Sequence, residues 1–356
     1  MTISADDRRT RITEVVRELG TVRVADLATR LGIPAVTVRR DVAALAESGA
    51  LHRSHGSVSL AATPSTAASG TPAGERVVGM LVPTVGSYFD EVIAGARAAA
   101  SAAGARLVLG IAPYEARDDQ EQASRLLDSG VDGLLLTPNW QPGGRAEDSA
   151  WLGRLPVPAV LVERRAAPES PGAELDSVVS DHRHGALLAL RHLAALGHDS
   201  VLLAAREDTW TAHQVRTGYT EGAKLLGLTT HPVIDLHRPG GGPADPALVA
   251  EKIAAAARKG TRAVLVHNDQ DAIQLPPMLR SLGLDVPTDI ALISYDDVFA
   301  ALAAPPLTAV APPKRAVGAT ALTLLLRRLG GEPDLPAHHI ELLPGLKVRT
   351  SCGGTA

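Results

Sequence analysis

The amino-acid sequence predicts an α/β chain in two parts: a small three-helix unit closed by a β-hairpin, then a larger two-lobed region built on two parallel sheets. Three observations carry that expectation. Apolar residues recur at helical spacing as far as Leu45 and give way to a strand, glycine turn, strand pattern that ends near Leu60. Residues 61–75 are mostly small, include two prolines and show no apolar period, which marks a flexible linker. From Arg76 onward short apolar runs alternate with helical segments, as parallel strands covered by helices on both faces do. A chain of 356 residues that is 45% hydrophobic has apolar material for two or three domains.

In the first part, Ile12, Val15, Val16 and Leu19 follow i, i+3, i+4, i+7 spacing and stop at Gly20, predicting a supporting helix with a glycine terminator. Val22, Ala25, Leu27, Ala28 and Leu31 up to Gly32, then residues 33–41, read as two brief helices joined by a tight glycine turn. On the second of these, Val42 and Leu45 fall within about 40° of Val38 when successive residues are stepped around a helix, making one buried stripe. Val36 and Arg40 point the opposite way, with Thr37 and Arg39 on the flanks. That outward face offers two guanidinium forks, a hydroxyl and a methyl-bearing side chain, the groups that read guanine edges, phosphates and thymine methyls in the major groove of DNA.

Beyond Gly49, residues 50–60 have strand, glycine turn, strand character, a wing with Arg53, Ser54 and His55 at its tip. Those three are placed to touch backbone phosphates or to reach the minor groove, fixing the position of the reading helix. The competing reading is a solvated helix with ordinary surface arginines. Three helices, a wing and paired arginines in this order favour the DNA reader.

These residues resemble the DeoR-type winged helix-turn-helix. The family pattern of paired arginine and aspartate, then Gly-x-Leu-x-Arg-x-His-Gly, matches Arg39-Arg40-Asp41 and Gly49-Ala50-Leu51-His52-Arg53-Ser54-His55-Gly56, with Ser57 standing where the family has a second glycine. The resemblance covers about 55 residues and implies a DNA-binding domain over 1–60. Nine arginines, no lysine and seven acids give those residues a charge of +2 and leave −6 for the rest of a chain at −4. A lone domain so weakly basic binds DNA weakly. A homodimer doubles the phosphate contacts, and its affinity falls steeply with salt.

In the second part the apolar runs at 77–82, 107–111, 134–136, 159–162, 201–204, 263–266 and 290–293 predict strands. About 280 residues are too many for one small sheet, hence the two lobes. The segments Val78-Gly79-Met80-Leu81-Val82-Pro83 with Tyr88-Phe89, Gly130-Val131-Asp132-Gly133, Leu196-Gly197-His198, Asn268-Asp269 and Ser294-Tyr295-Asp296-Asp297 resemble, in order, the LacI/GalR-type sensor. That likeness implies a periplasmic binding protein-like fold over 76–356. Its chain crosses between lobes near Ser180, near Val310 and near residue 336, giving lobe 1 about 76–180 and 311–336 and lobe 2 about 181–310 and 337–352.

Ligands of open parallel sheets sit at the carboxyl ends of the strands. Glu163, Asn268, Asp269 and Asp296 each follow a predicted strand, so carboxylates and an amide converge on one cleft, the polar groups that sugar hydroxyls satisfy. In the resembled family the positions of Glu163, Asn268 and Asp296 contact effector. Tyr88 and Phe89 after the first strand, and Trp210 before the helix carrying Gly218-Tyr219, are candidate walls for apolar ring faces. Plainer readings stand beside these. Asp181 reads better as a helix N-cap than as a ligand contact, Asn268 and Asp269 also suit a cap, and Trp210 suits packing. The arginine that the family places three residues before the helix glycine falls here at Val215, with Arg216 one step away.

Other chemistry finds little support. The single cysteine, Cys352, excludes a disulfide framework and a cysteine metal site. His182 with His184, and His338 with His339, lack spaced carboxylates to complete a metal set. The loop 239–243 lacks the lysine and hydroxyl of a phosphate loop, and no serine sits in a nucleophile elbow. No catalytic group, cofactor or metal is expected. The start has no apolar signal core and no run approaches the roughly 20 residues of a membrane span, so the expected location is cytoplasmic. The sequence is read as a repressor of carbohydrate-related genes that binds double-stranded operator DNA as a homodimer under control of a small-molecule effector, by expectation a sugar. A solute-binding or sugar-processing protein using the same cleft is the alternative, which has no use for residues 8–60.

Overall fold

The computed structural model describes residues 8–9, 11–13, 15, 22–23, 35–47, 51–54, 57–60, 76–84, 88–113, 118–140, 146–236, 245–332 and 334–354. The chain divides into two compact units, Met1–Gly74 and Glu75–Ala356. Among the described residues no helix is long and apolar enough to cross a membrane.

In the first unit the described residues of 8–15 are helical, and a 13-residue helix spans Ala35–Glu47. Val38 and Val42 are fully buried and Arg40 is exposed, as their angular positions require, and Ile12 is buried from the preceding helical segment. Strands β2 (Leu51–Ser54) and β3 (Ser57–Leu60) pair antiparallel in the register Ser54↔Ser57, which leaves a two-residue connection. Val22, read from sequence as part of a helix, instead opens the short strand β1 (Val22–Arg23), antiparallel to β3. Two β-branched or long side chains in sequence satisfy a sheet edge better than a helix start. The helical readings over residues 16–20 and 24–34, and His55 at the wing tip, lie outside the described residues.

The second unit holds two six-stranded sheets. The first comprises β4 (Val77–Val82), β5 (Arg106–Ile111), β6 (Gly133–Leu136), β7 (Ala159–Val162), β8 (Asp176–Ser180) and β14 (His339–Leu342), in the spatial order β14-β8-β7-β6-β4-β5, all parallel. The second comprises β9 (Leu202–Ala205), β10 (Ile234–Asp235), β11 (Ala263–His267), β12 (Ala291–Tyr295), β13 (Thr308–Ala311) and β15 (Gly345–Lys347), ordered β10-β9-β11-β12-β13-β15, with β15 antiparallel to β13. Both faces of the central strands are buried. On β4, Val78, Met80 and Val82 enter one core with Phe89 and Leu325, while Val77 and Leu81 enter the opposite one with Leu126 and Trp151. Continuous apolar runs are what two covered faces demand of a period-two strand.

The chain passes between lobes three times. β8 ends at Ser180 and the helix His182–Ala195 follows at once in the second lobe. β13 ends at Ala311 and the helix Lys314–Leu329 returns to the first. The third crossing, expected near residue 336, falls between Leu342 and Gly345, because β14 pairs with β8 in the first sheet. Buried Asp176 fixes the start of β14, at the end of the strand pair away from that crossing: its carboxylate accepts from Arg328 Nε at 2.7 Å, from Arg328 Nη2 at 2.9 Å and from the His338 backbone N–H at 2.6 Å.

In the first lobe the helices Tyr88–Ala102 and Lys314–Leu329 approach each other to backbone contact at two glycines. A Cβ on Gly95 would lie 2.0 Å from the Arg315 carbonyl oxygen, and one on Gly318 would lie 1.9 Å from that of Val92. Gly318→Ala is therefore expected to cost about 1–3 kcal/mol by overpacking, read as a lower urea midpoint at unchanged slope. An unshifted midpoint would show that the two helices separate freely.

Candidate functional site

The first unit builds its candidate DNA face on the helix Ala35–Glu47. Thr37 is half-buried and Arg40 exposed on it, Val36 and Arg39 lie on the same helix, and Arg53 and Ser54 end the first wing strand. Asp41, quoted from sequence only as part of the arginine motif, proves to be 1% exposed. Its carboxylate accepts from Arg8 Nε at 2.9 Å and lies 3.6 Å from Arg9 Nε. That contact ties the helix Ala35–Glu47 to the start of the preceding helical segment, and only the fold brings residues 33 apart in sequence together.

In the second unit the crossings set the carboxyl ends of both sheets at one junction, since β8 and β13 each end where the chain changes lobe. Glu163, directly after β7, sits there buried with φ +52°, a left-handed conformation that costs a non-glycine residue strain and is commonest at functional positions. Its Oε1 accepts from the Tyr88 hydroxyl at 2.7 Å and from Ser180 Oγ at 2.8 Å, and its Oε2 accepts from the Ser180 backbone N–H at 3.0 Å. His182 Nε2 faces the same Oε2 at 3.6 Å. Burial alone would raise this carboxyl, but the His182 imidazole, the Ser180 N–H and the Tyr88 hydroxyl outweigh it and hold the group at about 2.

From His182 the chain of polar contacts continues into the second lobe. The Tyr295 hydroxyl is 3.2 Å from His182 Nδ1 and donates to the His182 carbonyl at 3.2 Å. Tyr295 also meets the edge of His267, ring centroids 5.5 Å apart. Lys314 Nζ lies 5.5 Å over the Tyr88 ring and donates to the Asp296 carbonyl oxygen. Asp296 has φ +94°, again left-handed. Burial and then the charge of Asp269 push its carboxyl up to about 7 against the pull of Lys314. Burial, then His182, Arg206 and Arg216, push His267 down to about 3, so its ring is neutral.

The predicted residues separate into groups. Tyr88, Glu163 and Asp296 share this junction. Phe89 does not wall it, being buried in the first-lobe core with Val92 and Leu325. Asp269 is 1% exposed with both oxygens engaged: Oδ1 accepts from Ser294 Oγ at 2.6 Å, and Oδ2 from the N–H groups of Val298, Phe299 and Ala300 at 2.6, 3.0 and 3.3 Å. It shapes the loop after β12 instead of facing a ligand. Asn268 caps the turn Asp269–Ala272, accepting from Gln270 N–H at 3.0 Å, and Asp181 caps its helix through His184 N–H at 2.9 Å. Trp210 opens the helix Trp210–Leu226 and, with Glu163, lines a cavity of about 930 Å³ that also touches Ser180, His182 and Glu341. Arg216 is taken up by the carbonyls of Arg206 and Ala205 and by Asp235.

Besides Asp296, which the sequence did single out, several polar groups at these strand ends were passed over. Thr137 Oγ1, Asn139 Oδ1 and Trp140 Nε1 after β6, His267 Nδ1 at the end of β11 and Asp296 Oδ1 after β12 are buried without a hydrogen-bond partner. Native proteins rarely leave such atoms unpaired, so a cluster of them at the carboxyl ends of both sheets marks unused binding capacity. The available signal was position after an apolar strand, which applies to Thr137–Trp140 as much as to Glu163. Among the described residues no group of three or more His, Cys, Asp or Glu side chains is placed to hold a metal ion.

A DNA-reading helix unit joined to a two-lobed ligand-binding unit defines the class of ligand-responsive transcriptional regulators. The comparisons agree with it. A DeoR-like helix-turn-helix domain matches residues 8–63, and a periplasmic binding protein-like domain matches residues 190–352. The HTH-type transcriptional repressor PurR of Vibrio campbellii is 30% identical over 284 residues, 78% of this chain and 81% of the relative. A LacI family transcriptional regulator from Mycobacterium smegmatis is similar in structure at TM-score 0.62 and 28% identity, over 77% of this chain and 98% of that one. A periplasmic binding protein/LacI transcriptional regulator from Alkaliphilus metalliredigens, complexed with D-xylulofuranose, aligns at TM-score 0.60 and 18% identity over 78% and 99%. The chain belongs to the family of PurR-like, LacI-type transcriptional repressors.

Two pH responses follow from the junction. The Glu163 carboxyl is lower in the folded chain than its ordinary 4.5, so its stabilisation is present above that value and is lost as pH falls toward 2. Glu163→Gln should destabilise by on the order of 3 kcal/mol at pH 7, with the gap closing between pH 5 and 2 in denaturant titrations; a gap independent of pH would contradict the assignment. Asp296 is raised instead, so the wild type loses stability as pH rises through 7. Asp296→Asn should melt at a higher temperature than wild type at pH 8, and an equal or lower midpoint would refute the burial account.

Proposed function

We propose that this regulator represses carbohydrate-related genes, with its DNA affinity set by a sugar bound between the lobes. The observation that carries the reading is the set of unpartnered polar atoms at the carboxyl ends of both sheets. Two of them, Asp296 Oδ1 and Asn139 Oδ1, are acceptors, and Trp140 Nε1 is a donor. Vicinal hydroxyls donate to a carboxylate and an amide oxygen and accept from an indole N–H, and the half-buried rings of Tyr88 and Trp210 suit the apolar face of a sugar. Glu163 acts beside this set, holding Tyr88 and Ser180 in place. The sugar-bound Alkaliphilus structure supports the ligand class by likeness of fold alone.

Operator reading is assigned to Val36, Thr37, Arg39 and Arg40 on the reading helix, in the DeoR manner, with Arg53, Ser54 and His55 of the wing on the phosphate backbone. Two copies joined through their sensor units would hold two readers over a two-fold operator. A ligand that prefers one arrangement of the lobes shifts the population toward it and changes DNA affinity by its differential binding free energy. A cytoplasmic location fits this role.

Selection of genomic DNA fragments by the folded full-length protein at moderate salt tests the reading. Enrichment of a discrete inverted repeat is expected, and its absence both with and without a panel of free sugars would overturn it. Arg39→Ala with Arg40→Ala is expected to weaken operator binding a hundredfold or more, at about 1–3 kcal/mol per lost base contact, with thermal midpoint preserved. Undiminished affinity in gel-shift titration would remove the reading-helix assignment.

A further inference from the structure

We infer that His267 is a specificity-determining residue of the interlobe site, and that with Asp296 it selects an uncharged ligand presenting two adjacent hydrogen-bonding groups. The inference rests on the effector-cleft reading and deepens it. His267 ends β11 and Asp296 follows β12, and these strands pair in parallel with Val266 opposite Ser294. The two side chains therefore leave neighbouring strands at the same edge. Each keeps a buried polar atom without a partner, Nδ1 on the imidazole and Oδ1 on the carboxyl.

The imidazole stays neutral because it is buried beside His182, Arg206 and Arg216. A neutral ring carries one N–H and one lone pair, so it can complete a hydrogen bond with a hydroxyl or an N–H group but supplies no charge to an anion. The cations nearby are already engaged. Arg206 forms a bidentate pair with Asp208 at 2.8 and 2.7 Å, Arg216 donates to two backbone carbonyls and Asp235, and buried Arg164 donates to the Pro138 and Glu163 carbonyls. Lys314 donates to the Asp296 carbonyl. On the helix Trp210–Leu226, fully buried Val215 adds no charge. The carboxylates Glu163 and Asp296 at the same junction oppose a phosphate or carboxylate on the ligand.

Isothermal titration of the full-length protein tests this with two sets of probes, D-ribose, D-xylose and D-glucose on one side, D-ribose 5-phosphate and D-glucose 6-phosphate on the other. The expected result is binding of at least one uncharged probe, weaker binding by each phosphate ester than by its parent sugar, and a loss of tenfold or more in His267→Leu. His267→Asn, which places an amide near the Nδ1 position, should recover part of that loss, and ligand-free thermal midpoints show that both variants fold. A phosphate ester that binds as well as its parent sugar, or failure of every uncharged probe, overturns the ligand class. An unchanged affinity in His267→Leu overturns the role of His267. Retention of operator DNA by the same preparation is read in parallel: if the DNA is retained while these outcomes fail, only this inference falls, and if no DNA is retained, the regulator reading falls.

Discussion

The buried carboxylate of Glu163 is the contact on which the lobe junction depends. An ionised carboxylate removed from water is costly unless hydrogen bonds replace its hydration, and three short ones do so, from Tyr88 and twice from Ser180. The donors come from the first helix of lobe 1 and from the last residue of β8, where the chain is about to leave for lobe 2. The facing imidazole, His182, is the first residue of the helix on the other side of that crossing. One side chain thus fixes where the chain changes lobe. The left-handed backbone of Glu163 is the local cost of aiming it there.

The rest of the architecture protects that geometry by close backbone packing. The glycine contact between Tyr88–Ala102 and Lys314–Leu329 sets the position of Tyr88, at the start of one helix, against Lys314, at the start of the other. In the second lobe Gly185 leaves room for the Tyr295 hydroxyl, which a Cβ would approach to 2.3 Å, and Gly218 lets its helix approach the backbone of Arg183. Asp269 organises the turn behind β12 from which Asp296 projects. Interiors packed at this density move between discrete arrangements, not by continuous deformation.

Much of the fold was legible because strands buried on both faces must be apolar throughout. That applied to β4, β6, β7, β11 and β12. It did not apply to β8, with the sequence Asp-Ser-Val-Val-Ser, or to β14, His-Ile-Glu-Leu, which lies at the sheet edge with alternate residues exposed. Missing β14 placed the third crossing early. The site was legible by type and less so by role. A polar residue after a strand is equally a cap, a loop organiser or a ligand contact, and Asn268, Asp269 and Asp296 turned out to differ in what their oxygens already hold. Phe89 read as a wall because it follows Tyr88, but successive residues on a helix point about 100° apart, and the second one faces the core. Asp41 carried no signal for its partners, since nothing in local spacing relates it to Arg8.

Coupling between ligand and DNA needs a junction that distinguishes two lobe arrangements. Glu163 and Ser180 belong to lobe 1, while His182 and Tyr295 belong to lobe 2, so a relative rotation alters the contacts across this line and leaves those within each lobe alone. The unpartnered atoms lie on either side of the same line, Thr137 and Asn139 in lobe 1, His267 and Asp296 in lobe 2. A ligand that satisfies both sets gains its hydrogen bonds only when the lobes stand at the separation that fits it. Its binding free energy therefore differs between arrangements, and that difference is all that allostery requires.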